Sequence, residues 1–272
     1  MNFAVVAPNV GACARPQLMA DLARAAEDAG WDGFFMWDTI EYGDQAVCDT
    51  WIALSAVASA TRRVRLGTLV LSMARRRPGK VAREAVTLDH LSGGRVILGV
   101  GAGYETSGFT KFGESADPKV KAERLDEGLQ ILTGLWSGER FSFHGRHYTV
   151  QDVRFLPRPV NGTIPIWIAA NKGLRATGPL RRAARYDGVL GDIPVEDVEA
   201  ILSFVRRHRP TGAPFDVVVS LEDPNEPLPT PDVVERWERT GVTWLRYELD
   251  SLAGASLSLD GARQLVVAGP PR

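Results

Sequence analysis

Short runs of β-branched and aromatic residues alternate along this chain with longer stretches whose apolar positions recur every three or four residues. The first pattern suits buried strands and the second amphipathic helices. The apolar runs begin near Phe3 (FAVVAP), Gly33 (GFFMW), Arg65 (RLGTLVLS), Arg95 (RVILGVG), Ile164 (IPIWIAA), Asp187 (DGVLGD), Phe215 (FDVVVSL) and Val242 (VTWLRYEL). Their start-to-start intervals are 30, 32, 30, 69, 23, 28 and 27 residues. All but the fourth match a strand–helix–strand unit of roughly 30 residues, with parallel strands and right-handed crossovers. Eight such units predict a single α/β domain over residues 1–272, a (β/α)8 TIM barrel. A doubly wound open sheet is the alternative, but it usually stops at about five to seven strands.

Between the strands the pattern predicts helices at Leu18–Ala29, ending in Gly30, and at Trp51–Ala60, capped by Asp49 or Thr50. Further helices are predicted at Val81–Leu91, before Ser-Gly-Gly, and at Leu259–Val267. The long fourth interval predicts an insertion after the fourth strand, residues 105–163. It carries a helix at Pro118–Trp136, a hairpin over SGERFSFHGRHYTVQDVRF and a Pro-rich connector, LPRPVNG.

Composition narrows the function. The 32 basic and 33 acidic residues of this 272-residue chain give a formal charge of -1, so no global field draws nucleic acid or anionic lipid. No apolar run reaches the roughly 18 residues of a spanning helix, and the opening MNFAVVAPNV lacks the layout of a signal peptide. A cytoplasmic protein with no membrane partner is expected. Cys13 and Cys48 make neither a disulfide framework nor a ligand set, and the four histidines form no HxxxH or HExxH pattern, so no metal site is expected. His144 and His147 would point to opposite faces of a strand. His90, in TLDHLSGG, is expected at the far end of the barrel as a structural residue.

In such barrels ligand and catalytic groups lie just past the C-terminal strand ends. Here those positions hold Asn9; Trp37, Asp38 and Thr39; Ser72, Met73 and Arg75–Arg77; Gly101–Gly103, Tyr104 and Glu105. They continue with Ala169, Ala170, Asn171 and Lys172; Gly191 and Asp192; Glu222 and Asp223; and Glu248 and Asp250. No lysine lies deep in a strand to form a Schiff base, and no His/Asp cluster could hold two metals. Small and apolar strand ends such as Gly103 and Ala169 suit a flat aromatic ligand approached by backbone, although the same residues also ease barrel packing. GVGAG (Gly99–Gly103) is not a dinucleotide loop, because Tyr104 stands where that spacing needs glycine.

The stretch Arg65–Tyr104, with its TLDHLSGGR and GVGAGY segments, resembles the core of the bacterial-luciferase-like superfamily of flavin- and deazaflavin (F420)-dependent oxidoreductases. AEDAGWDGFFMWD, ERLDEGLQILTGLWSGERFSFHGRHYTV, RPVNGTIPIWIAAN and LRRAARYDGVL extend the similarity over roughly residues 3–193. The resemblance implies a cofactor, FMN or F420, lying over the strand ends. It places Asp38 beside the ring and puts Ser72 and Met73 at a bulge that often carries a non-proline cis peptide. It sets Ala169, Ala170 and Asn171 along the cofactor tail, and Gly191 and Asp192 at a phosphate loop. A homodimer and a separate flavin reductase are implied in the same way. Two departures stand out. Thr39 follows Asp38 where many F420-dependent relatives have a histidine base, and Asp192 sets a carboxylate at the phosphate loop, so that Lys172, Gly173 and Arg175 become the alternative phosphate site.

Tyr104 and Glu105 could hydrogen-bond a small-molecule substrate or relay a proton. Arg75–Arg77 could steer an anion, and Glu41 with Tyr42 could also reach the site. The leading expectation is a monooxygenase using reduced FMN, or F420, on a small organic substrate. An F420-dependent hydride-transfer enzyme and a non-catalytic flavin-binding barrel are the alternatives. A barrel lyase lacks its machinery.

Overall fold

The computed structural model describes residues 1–104, 108–209, 212–220, 229–249 and 259–271. Strands β1 (Asn2–Ala7), β2 (Gly33–Met36), β3 (Arg65–Ser72) and β4 (Val96–Gly101) are followed by the antiparallel hairpin β5 (Arg140–His144) and β6 (Thr149–Arg154). Strands β7 (Ile166–Ala169), β8 (Gly188–Gly191), β9 (Asp216–Ser220) and β10 (Trp244–Glu248) complete a closed parallel barrel in the order β1-β10-β9-β8-β7-β4-β3-β2. One helix follows each barrel strand: α1 (Pro16–Asp28), α2 (Thr50–Ala60), α3 (Pro78–Ser92), α4 (Pro118–Trp136), α5 (Thr177–Ala183), α6 (Val198–His208), α7 (Pro231–Thr240) and α8 (Leu259–Ala268). The expected (β/α)8 barrel is therefore present, and its eight strands fall on the eight apolar runs.

Helices α1 and α3 begin earlier than their apolar periodicity indicates, because Pro16 and Pro78 occupy the first helical position. A proline there has a suitable φ and no N–H to leave unsatisfied. The cap of α2 is Asp49, whose Oδ1 accepts from the Ile52 amide at 2.9 Å. Helix α4 is capped by Asp117, which accepts from the amides of Lys119 and Val120.

Period-two alternation sorts the strand side chains. Val5, Phe34, Leu66, Leu98, Ile168, Val217 and Leu245 face the helices, while Val6, Phe35, Ile97, Trp167, Leu190, Val218 and Trp244 fill the barrel. At its centre the rings of Phe35, Trp167 and Trp244 lie 5.3–6.2 Å apart, in the edge-on or tilted contacts aromatic rings prefer. Trp51, Trp136, Trp167 and Trp244 are all core residues, as expected.

The barrel end carrying the strand starts is bordered by polar side chains around a cavity of about 460 Å³ lined by Asp32, Arg65, Asp216 and Trp244. Asp32, Asp89 and Asp187 accept from the amides of Phe3, Val160 and Ile166. The buried Arg95 guanidinium donates to Ser92, Thr61, Val64 and Ala58. His90 contacts the Arg158 carbonyl at 2.8 Å. The motif Thr87–Arg95 thus turns the chain from α3 into β4 at the end opposite the strand C-termini, and its role is to fold the barrel.

The 69-residue interval contains α4, the ring helix between α3 and α5, tied to α5 and the turn after it by Arg182 and Arg185 on Asp126. The hairpin lies against α4. Its tip is held by the Glu127 carboxylate, which accepts from the amides of Arg146, His147 and Tyr148. The Tyr148 hydroxyl reaches the Arg76 carbonyl at 3.4 Å, so the tip arrives at the rim of the strand C-terminal end. Among the described residues no helix is long and apolar enough to cross a membrane.

Candidate active site

At the mouth formed by the strand C-termini, β1 and β2 are joined by the fully buried Asn9. Its Nδ2 donates to the carbonyls of Thr39 and Cys48 at 2.7 and 2.8 Å, and its Oδ1 accepts from the Thr39 amide at 3.3 Å. Thr39 is therefore held by its backbone, and this positions the neighbouring Asp38. The Asp38 side chain is 1% exposed and meets Arg76 in a two-pronged ion pair, with Arg76 Nε donating to Oδ2 at 2.9 Å and Nη2 to Oδ1. Burial pushes the Asp38 carboxyl up to about 6, although Arg76 and the Ser72 backbone N–H favour the carboxylate.

Register shifts in β3 between Thr68 and Leu71. The bulge lets both Leu69 and Val70 face the barrel and returns Leu71 to the helix layer. Ser72 then lies at the mouth, buried, with no hydrogen-bond partner for its hydroxyl among the described residues. The non-proline cis peptide lies within the bulge, at Leu69–Val70, and not at Ser72–Met73 where the resemblance placed it. Met73 turns outward, and a Cβ on Gly128 of α4 would come 2.6 Å from its Cε.

Gly103 has φ +86, and an added Cβ would lie 2.2 Å from Ser72 Oγ and 2.8 Å from the Phe109 ring. Its carbonyl accepts from Lys121 Nζ at 3.0 Å. That ammonium is buried beneath the loop, 4.8 Å from the Phe109 ring centroid. Tyr104 projects over the mouth and hydrogen-bonds Asn171 through its hydroxyl. Burial raises its pKa, with Asp192 adding to the effect. Glu105 lies outside the described residues, as do Glu222, Asp223 and Asp250.

Alternation separates the two alanines at the end of β7. Ala169 packs with the barrel interior, whereas Ala170 packs with the helix layer. Lys172 is exposed at the start of a short turn over Gly173–Arg175, and the Gly173 amide donates to the Ala170 carbonyl at 2.8 Å. A Cβ on Gly191 would lie 3.1 Å from the Asn171 backbone, so glycine allows these two loops to touch.

The sequence reading missed the residue that organises the far wall. Arg246, 7% exposed, donates to Asp192 Oδ1 at 2.8 Å and to Glu248 Oε1 at 2.5 Å. Ser220 also donates to Asp192, at 3.2 Å, and Trp37 Nε1 donates to Glu248 Oε2 at 3.2 Å. The Asp192 charge that looked hostile to an anionic ligand is thus matched by a guanidinium. The signal was present in β10: counting by twos from the inward Trp244 puts Arg246 and Glu248 on the inner face. Arg76 was grouped with its neighbours as a basic run, and nothing in the sequence pairs it with Asp38.

The mouth therefore has a floor of small residues, Gly101 and Ala169, and one wall built from Asp38 and Arg76. The opposite wall is formed by Arg246, Asp192 and Glu248. Two buried polar atoms here, Ser72 Oγ and Arg246 Nε, have no hydrogen-bond partner among the described residues. A flat, heteroatom-rich ring fits such a surface, because backbone approaches it closely and the unmatched atoms can bond to it.

Comparison with known proteins agrees with this geometry. Residues 1–222 match the family described as luciferase-like monooxygenase. An uncharacterized protein of Mycobacterium tuberculosis (strain ATCC 25618 / H37Rv) is 33% identical over 246 residues, spanning 82% of this chain and 81% of that protein. An F420-dependent glucose-6-phosphate dehydrogenase of Nakamurella multipartita is 35% identical over 162 residues, 57% of this chain and 47% of that enzyme. The crystal structure of the monooxygenase RslO1 from Streptomyces bottropensis superposes with a TM-score of 0.68 at 26% identity. It covers 88% of this chain and 78% of RslO1. With its barrel, its strand-end mouth and a match over most of its length, the chain belongs to the luciferase-like monooxygenase family.

Proposed function

We propose that the protein is an oxidoreductase that binds FMN or F420 across the barrel mouth and acts on a small organic molecule. The observation that carries this reading is the pairing of two unmatched buried polar atoms, Ser72 Oγ and Arg246 Nε, with a floor of small residues. When bound, either cofactor supplies two-electron transfer, and reduced FMN also activates dioxygen. The protein supplies binding, orientation and electrostatics. Gly103, Ala169, Asn171 and Gly191 offer backbone and small side chains to the ring and its tail, with Ser72 beneath. The exposed Lys172 and the Gly173 turn receive the anionic end. Asp38, titrating near 6, holds or releases a proton at the ring edge, and Arg76 keeps its carboxylate in place. Tyr104 and Trp37 shield the opening from water.

The absence of a histidine after Asp38 favours monooxygenation over alcohol oxidation, since Thr39 offers no base and its backbone is committed to Asn9. A homodimer, a cytoplasmic location and a separate flavin reductase belong to the same reading. Titration with FMN, reduced FMN and F420, followed by fluorescence quenching, tests it. Binding of at least one is expected, and no binding below about millimolar by any of them would overturn it. Oxygen uptake with reduced FMN then separates monooxygenation from hydride transfer.

A further inference from the structure

Two adjoining cavities lie outside the barrel mouth, where the hairpin tip meets α3 and α4. The smaller, about 210 Å³, is lined by Arg75, Arg76, Arg77, Arg124, His147 and Tyr148, together with Glu114. The larger, about 440 Å³, shares Arg77, His147 and Tyr148 and continues between Ile131 and Leu135 of α4 and Val150, Val153 and Phe155 of the hairpin strand β6 and its continuation. Its volume falls within the range of small-molecule pockets, about 300–1,000 Å³.

The charges around the small cavity do not cancel. Arg75 is held by Glu114 and Arg76 by Asp38, while His147 and Arg146 share Glu123. Glu127 accepts from three backbone amides of the tip. Arg77 and Arg124 form no ion pair with a described residue. Both line the small cavity beside Tyr148, whose hydroxyl also feels the single Glu127 carboxylate. That cavity opens directly into the apolar chamber. A polar anion alone would leave the chamber empty, and an apolar molecule alone would leave the exposed Arg77 and the half-buried Arg124, which donates to the Ala74 carbonyl, without a counter-ion.

We propose that this continuous site binds an amphiphilic anion: a carboxylate or phosphate monoester head between Arg77 and Arg124, and an apolar chain between α4 and the hairpin. The site is separate from the mouth, but Arg76 lines one and serves the other.

The test uses decanoate as the probe and isothermal titration calorimetry of the full chain, with acetate and decanol as head-only and tail-only controls. Saturable one-to-one binding of decanoate is expected, at least about tenfold tighter than either control. The double variant Arg77→Gln/Arg124→Gln should weaken decanoate by about tenfold or more and leave decanol unchanged, and Val150→Trp should weaken decanoate by filling the chamber. Neither changes a residue of the mouth, and circular dichroism reports whether each folds. In the unsubstituted protein, a photoactivatable diazirine decanoate should label residues 131–135 or 149–155. Labelling confined to the mouth, decanoate binding no tighter than the controls, or binding unchanged in both folded variants would each overturn the proposal.

Discussion

The Arg76 guanidinium lies against both oxygens of the Asp38 carboxylate at the rim of the barrel mouth, so a residue of the β3–α3 loop governs the charge of a residue after β2. Burial raises the folded pKa of Asp38 to about 6 from an ordinary 3.8. A raised carboxyl pKa favours folding while the group is protonated. Its contribution is full below pH 3.8 and is lost as pH rises through 6. Arg76→Gln removes the stabilising cation and should move the Asp38 titration further up. Expected is an upward shift of about one unit or more in the acidic limb of flavin binding or turnover, measured as a pH profile. An unchanged limb would separate Asp38 from the proton chemistry.

Replacing Arg246 with Met should leave Glu248 buried beside Trp37 without its cation. Loss of one partner from a buried pair costs about 3–5 kcal/mol, and the exposure of Asp192 reduces this to about 2–4 kcal/mol here. Urea denaturation should show that loss. Adding Glu248→Gln should recover part of it, because the buried charge that Arg246 balanced is then gone.

Gly103→Ala tests the packing of the mouth loop. The new Cβ meets Ser72 Oγ and the Phe109 ring at a φ that side chains avoid, so a loss of about 1–3 kcal/mol is expected. Weaker flavin binding should accompany it. Ser72→Ala in the same background relieves the nearest contact and should restore part of the stability in a thermal melt.

At the strand-start end of the barrel, Glu27 accepts from the amides of Arg62, Arg63 and Val64. Burial pushes its carboxyl up, but those three N–H donors and Arg63 outweigh it and hold the pKa below the ordinary 4.5. A lowered carboxyl pKa gives stability that is present above 4.5 and lost as pH falls below it. Glu27→Ala leaves three amides unmatched and should cost about 2–4 kcal/mol at neutral pH. The difference from the parent protein should shrink in melts recorded at successively lower pH.

Much of the architecture was legible in the residues. Eight apolar runs at intervals near 30 residues require parallel strands joined by helices, and eight of them close a barrel. Asp49 and Gly93 mark helix ends by chemistry that acts within a few residues. The positions of the mouth followed from the same count, since a strand end is a local property. The starts of α1 and α3 were read late because their leading prolines carry no apolar period, whereas α4 begins at Pro118 as expected.

What the chain alone could not reveal was which mouth residues touch. Asp38 and Arg76 are 38 residues apart, Asp192 and Arg246 are 54 apart, and both pairs form only when the barrel closes. The bulge in β3 was equally hidden, yet it decides that Ser72 faces the mouth while Leu71 rejoins the core and Met73 packs on α4. Local sequence determines strands, helices and their order, because backbone hydrogen bonding and burial periodicity act over short distances. Ion pairing, the phase of a bulged strand and the basic cleft beside the hairpin depend on elements far apart in the chain, and the tertiary structure decided them.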